Sequence, residues 1–250
     1  MSMIHSVGHK SAHQPQTVVK HLDELRYRLF IYLTALLGGG VIGYYLQDQI
    51  ISLLVRPLGQ KLVYSSPTGG FEFLIKICLF FGFLVSVPVG VFQLIRFISP
   101  AVQKKFIVKT GRIILISSLL ACAGVSFAYF VSLPAALHFL NRFSNDNIQS
   151  LISANEYTNF VMIYISGFAA LFQMPLIFWI INRIRKLPAT KLIRQQRWVI
   201  LVSFIVAAVL TPTPDPINQT LMAVPIIVLF QLSVIVVWRA NRSESVALPD

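Results

Sequence analysis

Six runs of apolar residues constrain this chain more than any other feature: residues 29–46, 73–97, 113–133, 160–181, 198–210 and 221–238. Crossing a hydrocarbon core of about 30 Å takes about 20 apolar residues of helix. Backbone groups in lipid find no water, so a span must bond them internally, as a helix or a closed barrel. The runs are continuous where barrel strands would alternate, and helices are the reading that survives. Composition agrees, since 56% of the 250 residues are hydrophobic and only 12% are charged. At a mean hydropathy of +0.72 the chain has too little polar surface to coat a water-soluble domain. The expected class is an all-α integral membrane protein with six transmembrane helices.

The fifth run is thirteen residues long. As a helix it measures roughly 20 Å and falls short of the core. It is followed by "TPTPDPINQ", residues 211–219, whose three prolines oppose regular helix and demand polar partners for the backbone. Local bilayer thinning or a water-filled hollow is expected there. Residues 1–19 form a polar tail without the apolar core of a signal peptide. Residues 20–238 read as one six-helix membrane domain, and residues 239–250 as a C-terminal tail. Cys78 and Cys122 fall inside apolar runs, where a thiol behaves as a small hydrophobe.

Charge sets the orientation. One side of the membrane receives Lys10, Lys20, Arg26 and Arg28, a loop with Arg96, Lys104, Lys105, Lys109 and Arg112, and a loop with Arg183, Arg185, Lys186, Lys191, Arg194 and Arg197. The other side is nearly balanced. The positive-inside rule makes both termini cytoplasmic, in the cell inner membrane or the equivalent organellar one. The net charge of +12 is thereby concentrated on one face. Topology and attraction to anionic lipid account for it, and without a binding fold it does not indicate nucleic acid.

Against that basic face stand two acids, Asp23 and Glu24, in "HLDELRYRLF". Two readings stand side by side. Glu24 with Arg28 at i,i+4, or Asp23 with Arg26 at i,i+3, would support an amphipathic helix entering the first span. Alternatively a carboxylate here captures a cation from the cytosol, best of all a guanidinium, which binds carboxylates through paired charge-assisted bonds. Glu72 and Lys76 form another i,i+4 pair near the outer interface. Gln173 and Gln231 lie deep in the fourth and sixth runs, where an amide must find an interhelical partner. His5, His9 and His13 share a helical spacing but lack neighbouring Cys or acid, so no metal site is expected. No nucleophile–base pair or phosphate loop appears. Neither an enzyme nor a cofactor is expected.

"HLDELRYRL" (21–29) resembles the N-terminal signature of the TatC family, the core subunit of the Sec-independent, twin-arginine protein translocase. The resemblance continues through Pro88, Gln93, Phe97 and Pro100, "FAYFVSLP" (127–134), Tyr157 with "FVM" (160–162), Phe172 with Pro175, and "LTPTPDPINQTLMAVP" (210–225). It implies a concave six-helix bundle with short fifth and sixth helices. It also implies a receptor for twin-arginine signal peptides and a translocase of folded proteins driven by the protonmotive force. By that resemblance Glu24 reads the arginines, with Asp23 and Arg26 beside it. Gln173, Thr213, Asp215, Gln219 and Gln231 become docking positions for the single-span partners TatA and TatB in an oligomeric complex. The family's second reading glutamate falls near Phe106, where this chain has no acid, and its glutamates in spans four and six are Gln173 and Gln231 here. Rival readings are a small secondary transporter, which would need buried charge pairs at mid-membrane, and a scaffold without transport activity.

Overall fold

The computed structural model describes residues 18–58, 62–63, 66–98, 110–141, 153–210 and 216–246. Helix α1 (Val18–Tyr45) carries the first apolar run, and a short outer helix α2 (Gln47–Val55) follows it. The second run lies in α3 (Gly69–Ile98). The third is composite: α4 (Thr110–Phe127), a π-helical turn (Ala128–Ser132), then α5 (Leu133–Asn141). The fourth is divided into α6 (Ala154–Leu171) and α7 (Met174–Ile184). After the cytoplasmic helix α8 (Ala189–Arg194) come α9 (Gln196–Leu210) and α10 (Pro216–Val246). Among the described residues, five helical stretches are long and apolar enough to cross a membrane, and α9 is a sixth, shorter apolar helix.

Two expectations need correction. The sixth helix is not short: α10 has 31 residues. Hydropathy marks only its apolar middle, whereas the helix continues through the polar stretch to Val246 and starts at Pro216. Nor does the proline link reach residue 219. Proline is suited to a first helical position, because its missing N–H would be unbonded there and its φ is already helical. Ile217, Asn218 and Gln219 therefore belong to α10. The fifth helix is indeed short, at 15 residues.

Prolines also explain the breaks. Pro134 lacks an N–H and would collide with the carbonyl four residues earlier, Phe130; the π turn just before it widens the ladder at that point. Pro175, at the start of α7, ends α6 at Leu171 in the same way.

Helix α1 leans chiefly on α3. The seam is built of glycine: Gly39 and Gly40 face Gly82, Gly43 faces Cys78 and Phe81, and a Cβ on Gly39 would lie 2.9 Å from the Gly82 Cα. Small residues at four-residue spacing let two backbones approach this closely, which is how helices gain van der Waals contact in lipid. The rest of α1 is widely exposed, as suits a helix facing acyl chains: Leu22, Phe30, Leu37 and Tyr45 are all on the surface.

The core forms around α6. Phe160, Tyr164 and Phe168 follow one another at i,i+4, with ring centroids 5.3 Å apart at each step. Ile77, Leu133, Met222 and Ile226 close on them from α3, α5 and α10. On the outer side, Tyr129 and Tyr157 each donate a hydroxyl hydrogen bond of 2.9 Å, to the Leu53 and Leu54 carbonyls. These carbonyls end α2 and have no partner within their own helix, so two tyrosines cap it. On the inner side, Arg96, Arg183, Arg197 and Arg242 stand 5.2–6.0 Å from the rings of Phe92, Trp179, Trp198 and Trp238. Basic and aromatic side chains at one level mark the membrane–water interface.

Candidate functional site

The inner end of α1 presents the acids on different faces. Asp23 is exposed and borders a surface hollow with Arg26, Tyr27 and Leu33. Asp23 and Arg26 form no ion pair with each other. Glu24 lies instead beside Arg28 and His21, which themselves reach Gln93 and Phe97 of α3, and is partly buried, its side chain 21% exposed. Successive helical residues project about 100° apart, so the division follows from the backbone.

Arg28, one turn below, donates from Nε to Glu24 Oε1 at 3.2 Å, and its Nη2 donates to the same oxygen. Its Nη1 donates to Gln93 Oε1 on α3 at 3.4 Å. His21 places Nδ1 3.9 Å from Glu24 Oε2 and stacks on Phe97, centroids 4.3 Å apart. The helix-internal pair foreseen by spacing is thus real, but it occupies one carboxylate oxygen and leaves the other facing a histidine. The guanidinium is held by one acid only, and the acid is not closed off.

Leu25 and Arg28 begin a cavity of about 420 Å³ between α1, α3 and the α6–α7 junction. Its walls are apolar, with Leu29, Tyr32, Val87 and Ile177 among them, and Gln93 and Gln173 are its amides. Gln173 is 2% exposed. It accepts from Ser117 Oγ at 2.7 Å and donates to the Ser117 and Ala169 carbonyls at 3.3 and 3.2 Å. Both N–H groups are used, and the amide joins α4 to the end of α6.

Gln219 donates to the Phe204 carbonyl at 2.9 Å and ties α10 to α9. Gln231 is different. It stands half-buried on α10, in a lipid-facing stripe with Val224, Val228 and Ile235, and makes no hydrogen bond among the described residues. Thr213, Asp215, Phe106 and the three N-terminal histidines lie outside the described residues. Lys76 pairs with Glu72 at 2.5 Å on the outer side. No ion pair among the described residues sits at mid-membrane, where a transporter would hold one.

A polar lock was not foreseen. Asn182 Nδ2 donates to Asn241 Oδ1 at 2.8 Å, Asn182 Oδ1 accepts from the Leu187 N–H at 2.8 Å, and Asn241 Nδ2 donates to the Leu187 carbonyl at 2.9 Å. The signal available was an uncharged asparagine within "INRIRK", in a segment otherwise apolar or basic. Gln93 was also visible only as part of a motif, with no role attached.

The family model of the Sec-independent protein translocase protein TatC matches residues 20–225. The chain belongs to the TatC family. Among TatC relatives, the protein of Carboxydothermus hydrogenoformans is 31% identical over 229 residues, covering 89% of this chain and 93% of its own. A chloroplast TATC protein of Pisum sativum is 30% identical over 86% of this chain, which spans 62% of that longer protein. The crystal structure of the twin-arginine translocase receptor TatC superposes with a TM-score of 0.78 at 32% identity, covering 88% of this chain and 99% of that one. This TatC protein is a multi-pass membrane component of a protein translocase. Bacterial and chloroplast relatives fit the inner or organellar membrane that its charge asymmetry requires.

Proposed function

We propose that this TatC protein is the receptor for twin-arginine signal peptides and the core subunit of a translocase that passes folded proteins across the membrane at the expense of the protonmotive force. The observation that carries this reading is Glu24: a partly buried carboxylate at the inner mouth of a cationic face, with Oε2 uncommitted to any arginine. Oε2 alone accepts a single N–H, and a guanidinium is favoured over an ammonium once Arg28 yields Oε1, because only the guanidinium offers two parallel N–H donors to both oxygens. The apolar cavity that starts one turn below suits an apolar segment attached to that cation. Asp23 and Arg26, on the neighbouring face, meet the flanks of the same peptide.

Partner docking is assigned to α9 and α10. An amide without a partner on a lipid-facing helix is satisfied by a polar group on another membrane helix, and single-span TatA and TatB proteins supply one. Gln231 is therefore the leading docking position. Gln219 stands near the outer end of the same hairpin, and Thr213 and Asp215, which fall between α9 and α10 in the sequence, are assigned to docking by family resemblance alone. Gln173 is already bonded within the bundle and serves docking only through the wall it helps to build.

The test is Glu24→Gln in cells depleted of their own TatC. Crosslinking of the signal peptide and export of a twin-arginine reporter are both expected to fall at least tenfold with the protein still present in the membrane. Undiminished crosslinking and export would sink the assignment of Glu24.

A further inference from the structure

We infer that Arg28 is a resident stand-in for the incoming arginine, and that Gln93 is the acceptor onto which it is displaced. The inference rests on Glu24 being the arginine reader. A carboxylate that is to grip a foreign guanidinium already holds one from its own chain, on Oε1. The same guanidinium directs its remaining arm at Gln93 Oε1, at 3.4 Å, the long edge of hydrogen-bonding distance. That contact crosses from α1 to α3 and is poorly made while Glu24 holds the other two nitrogens. When an external arginine takes Glu24, the Arg28 group keeps a polar partner by closing on Gln93. A cation left with no partner there would be costly, since its side chain is only 15% exposed.

The displacement has a direction. Arg28 and Gln93 both line the cavity, and Glu24 does not. Occupation of the carboxylate thereby shifts a positive charge from the α1 surface toward the cavity mouth, so that the apolar hollow senses whether an arginine has been engaged. His21 is the other titratable group facing Glu24 and does not move in this exchange, being stacked on Phe97. From α3 the groups at this level are Gln93, Phe97 and Arg96, the last turned onto Phe92.

The experiment uses the full chain in lipid nanodiscs and two synthetic signal peptides that differ only in Arg-Arg against Lys-Lys. Arg28→Gln removes the competitor and should tighten Arg-Arg binding about two- to fivefold, the size of a competing partly exposed ion pair. Arg28→Lys, a poorer bidentate donor, should move in the same direction and guards against misfolding of the first variant. Gln93→Leu should weaken binding by a similar factor in the wild-type background and have no effect beside Arg28→Gln, as a double-mutant cycle requires. Weaker binding in both Arg28 variants, or a Gln93→Leu effect that persists without Arg28, overturns the exchange. A second readout needs no peptide: coupling of Glu24 by water-soluble carbodiimide, followed by mass spectrometry, should accelerate in Arg28→Gln and would stay constant were Arg28 no shield. Equal binding of the two peptides by the wild type would instead remove the arginine-reader reading, and the carbodiimide result would still decide the role of Arg28.

Discussion

At the scale of single residues, the central question is whether Glu24 is there for stability or for recognition, and magnitudes separate the two. An exposed i,i+4 pair contributes about 0.3–0.5 kcal/mol, and this partly buried one somewhat more. In Glu24→Gln the amide oxygen and Gln93 still accept from Arg28, so the melting temperature in detergent should fall by only a few degrees while twin-arginine export falls at least tenfold. A large thermal loss would return the residue to a structural role. Gln173 makes the opposite prediction. Its three hydrogen bonds join two helices in a buried setting, and Gln173→Leu leaves the Ser117 hydroxyl without its acceptor. The expected cost is about 1–2 kcal/mol, read as a clear fall in melting temperature. The Glu24–Arg28 pair was legible in the sequence because its partners are one helical turn apart. The bonds of Gln173 to Ser117, of Arg28 to Gln93 and of Asn182 to Asn241 join residues 56, 65 and 59 positions apart. No local spacing encodes such pairs; they exist only once the helices are in place.

At the scale of elements, the α1–α3 seam is the most exacting feature. A Cβ on Gly82 would overlap the Leu36 carbonyl and lie 2.9 Å from the Gly40 nitrogen, both of them backbone atoms that cannot rotate aside. Gly82→Ala should cost about 1–3 kcal/mol by overpacking and loosen α1 from the bundle. Gly38→Ala is the control, since nothing lies within 4 Å of its added methyl. It should be neutral or stabilising by up to about 1 kcal/mol, because alanine is the better helix former. Paired melting curves for the two variants decide this. The six membrane runs were readable from apolar length alone, whereas the short helices α2 and α8 between them were not. What hydropathy missed was backbone: the π turn before Pro134, the break at 172–173 and the extra turns of α10. A side-chain transfer scale contains no term for which carbonyl a proline orphans or where a polar helix end keeps its ladder intact.

At the scale of the whole molecule, the short α9 sets the fit to the bilayer. Fifteen residues span roughly 22 Å against a core of about 30 Å, and Gln219 fastens this helix to the longer α10. The hairpin cannot lengthen, so the lipid must adapt. Reconstituted in a series of phosphatidylcholines of increasing acyl length, the protein should melt highest in the thinner bilayers and lose stability as the chains lengthen. A flat series would show that the mismatch is absorbed by tilting of the neighbours instead. The inner ends, by contrast, are fastened at two points, by His21 on Phe97 and by the asparagine ring around Leu187. Between those fastenings α1 is sewn to a single neighbour, and it faces α6 and α7 across the cavity without packing tightly on them. Among the described residues α1 is thus held along one flank only, so that a peptide caught at Glu24, as proposed, has a loosely walled apolar hollow directly beside it.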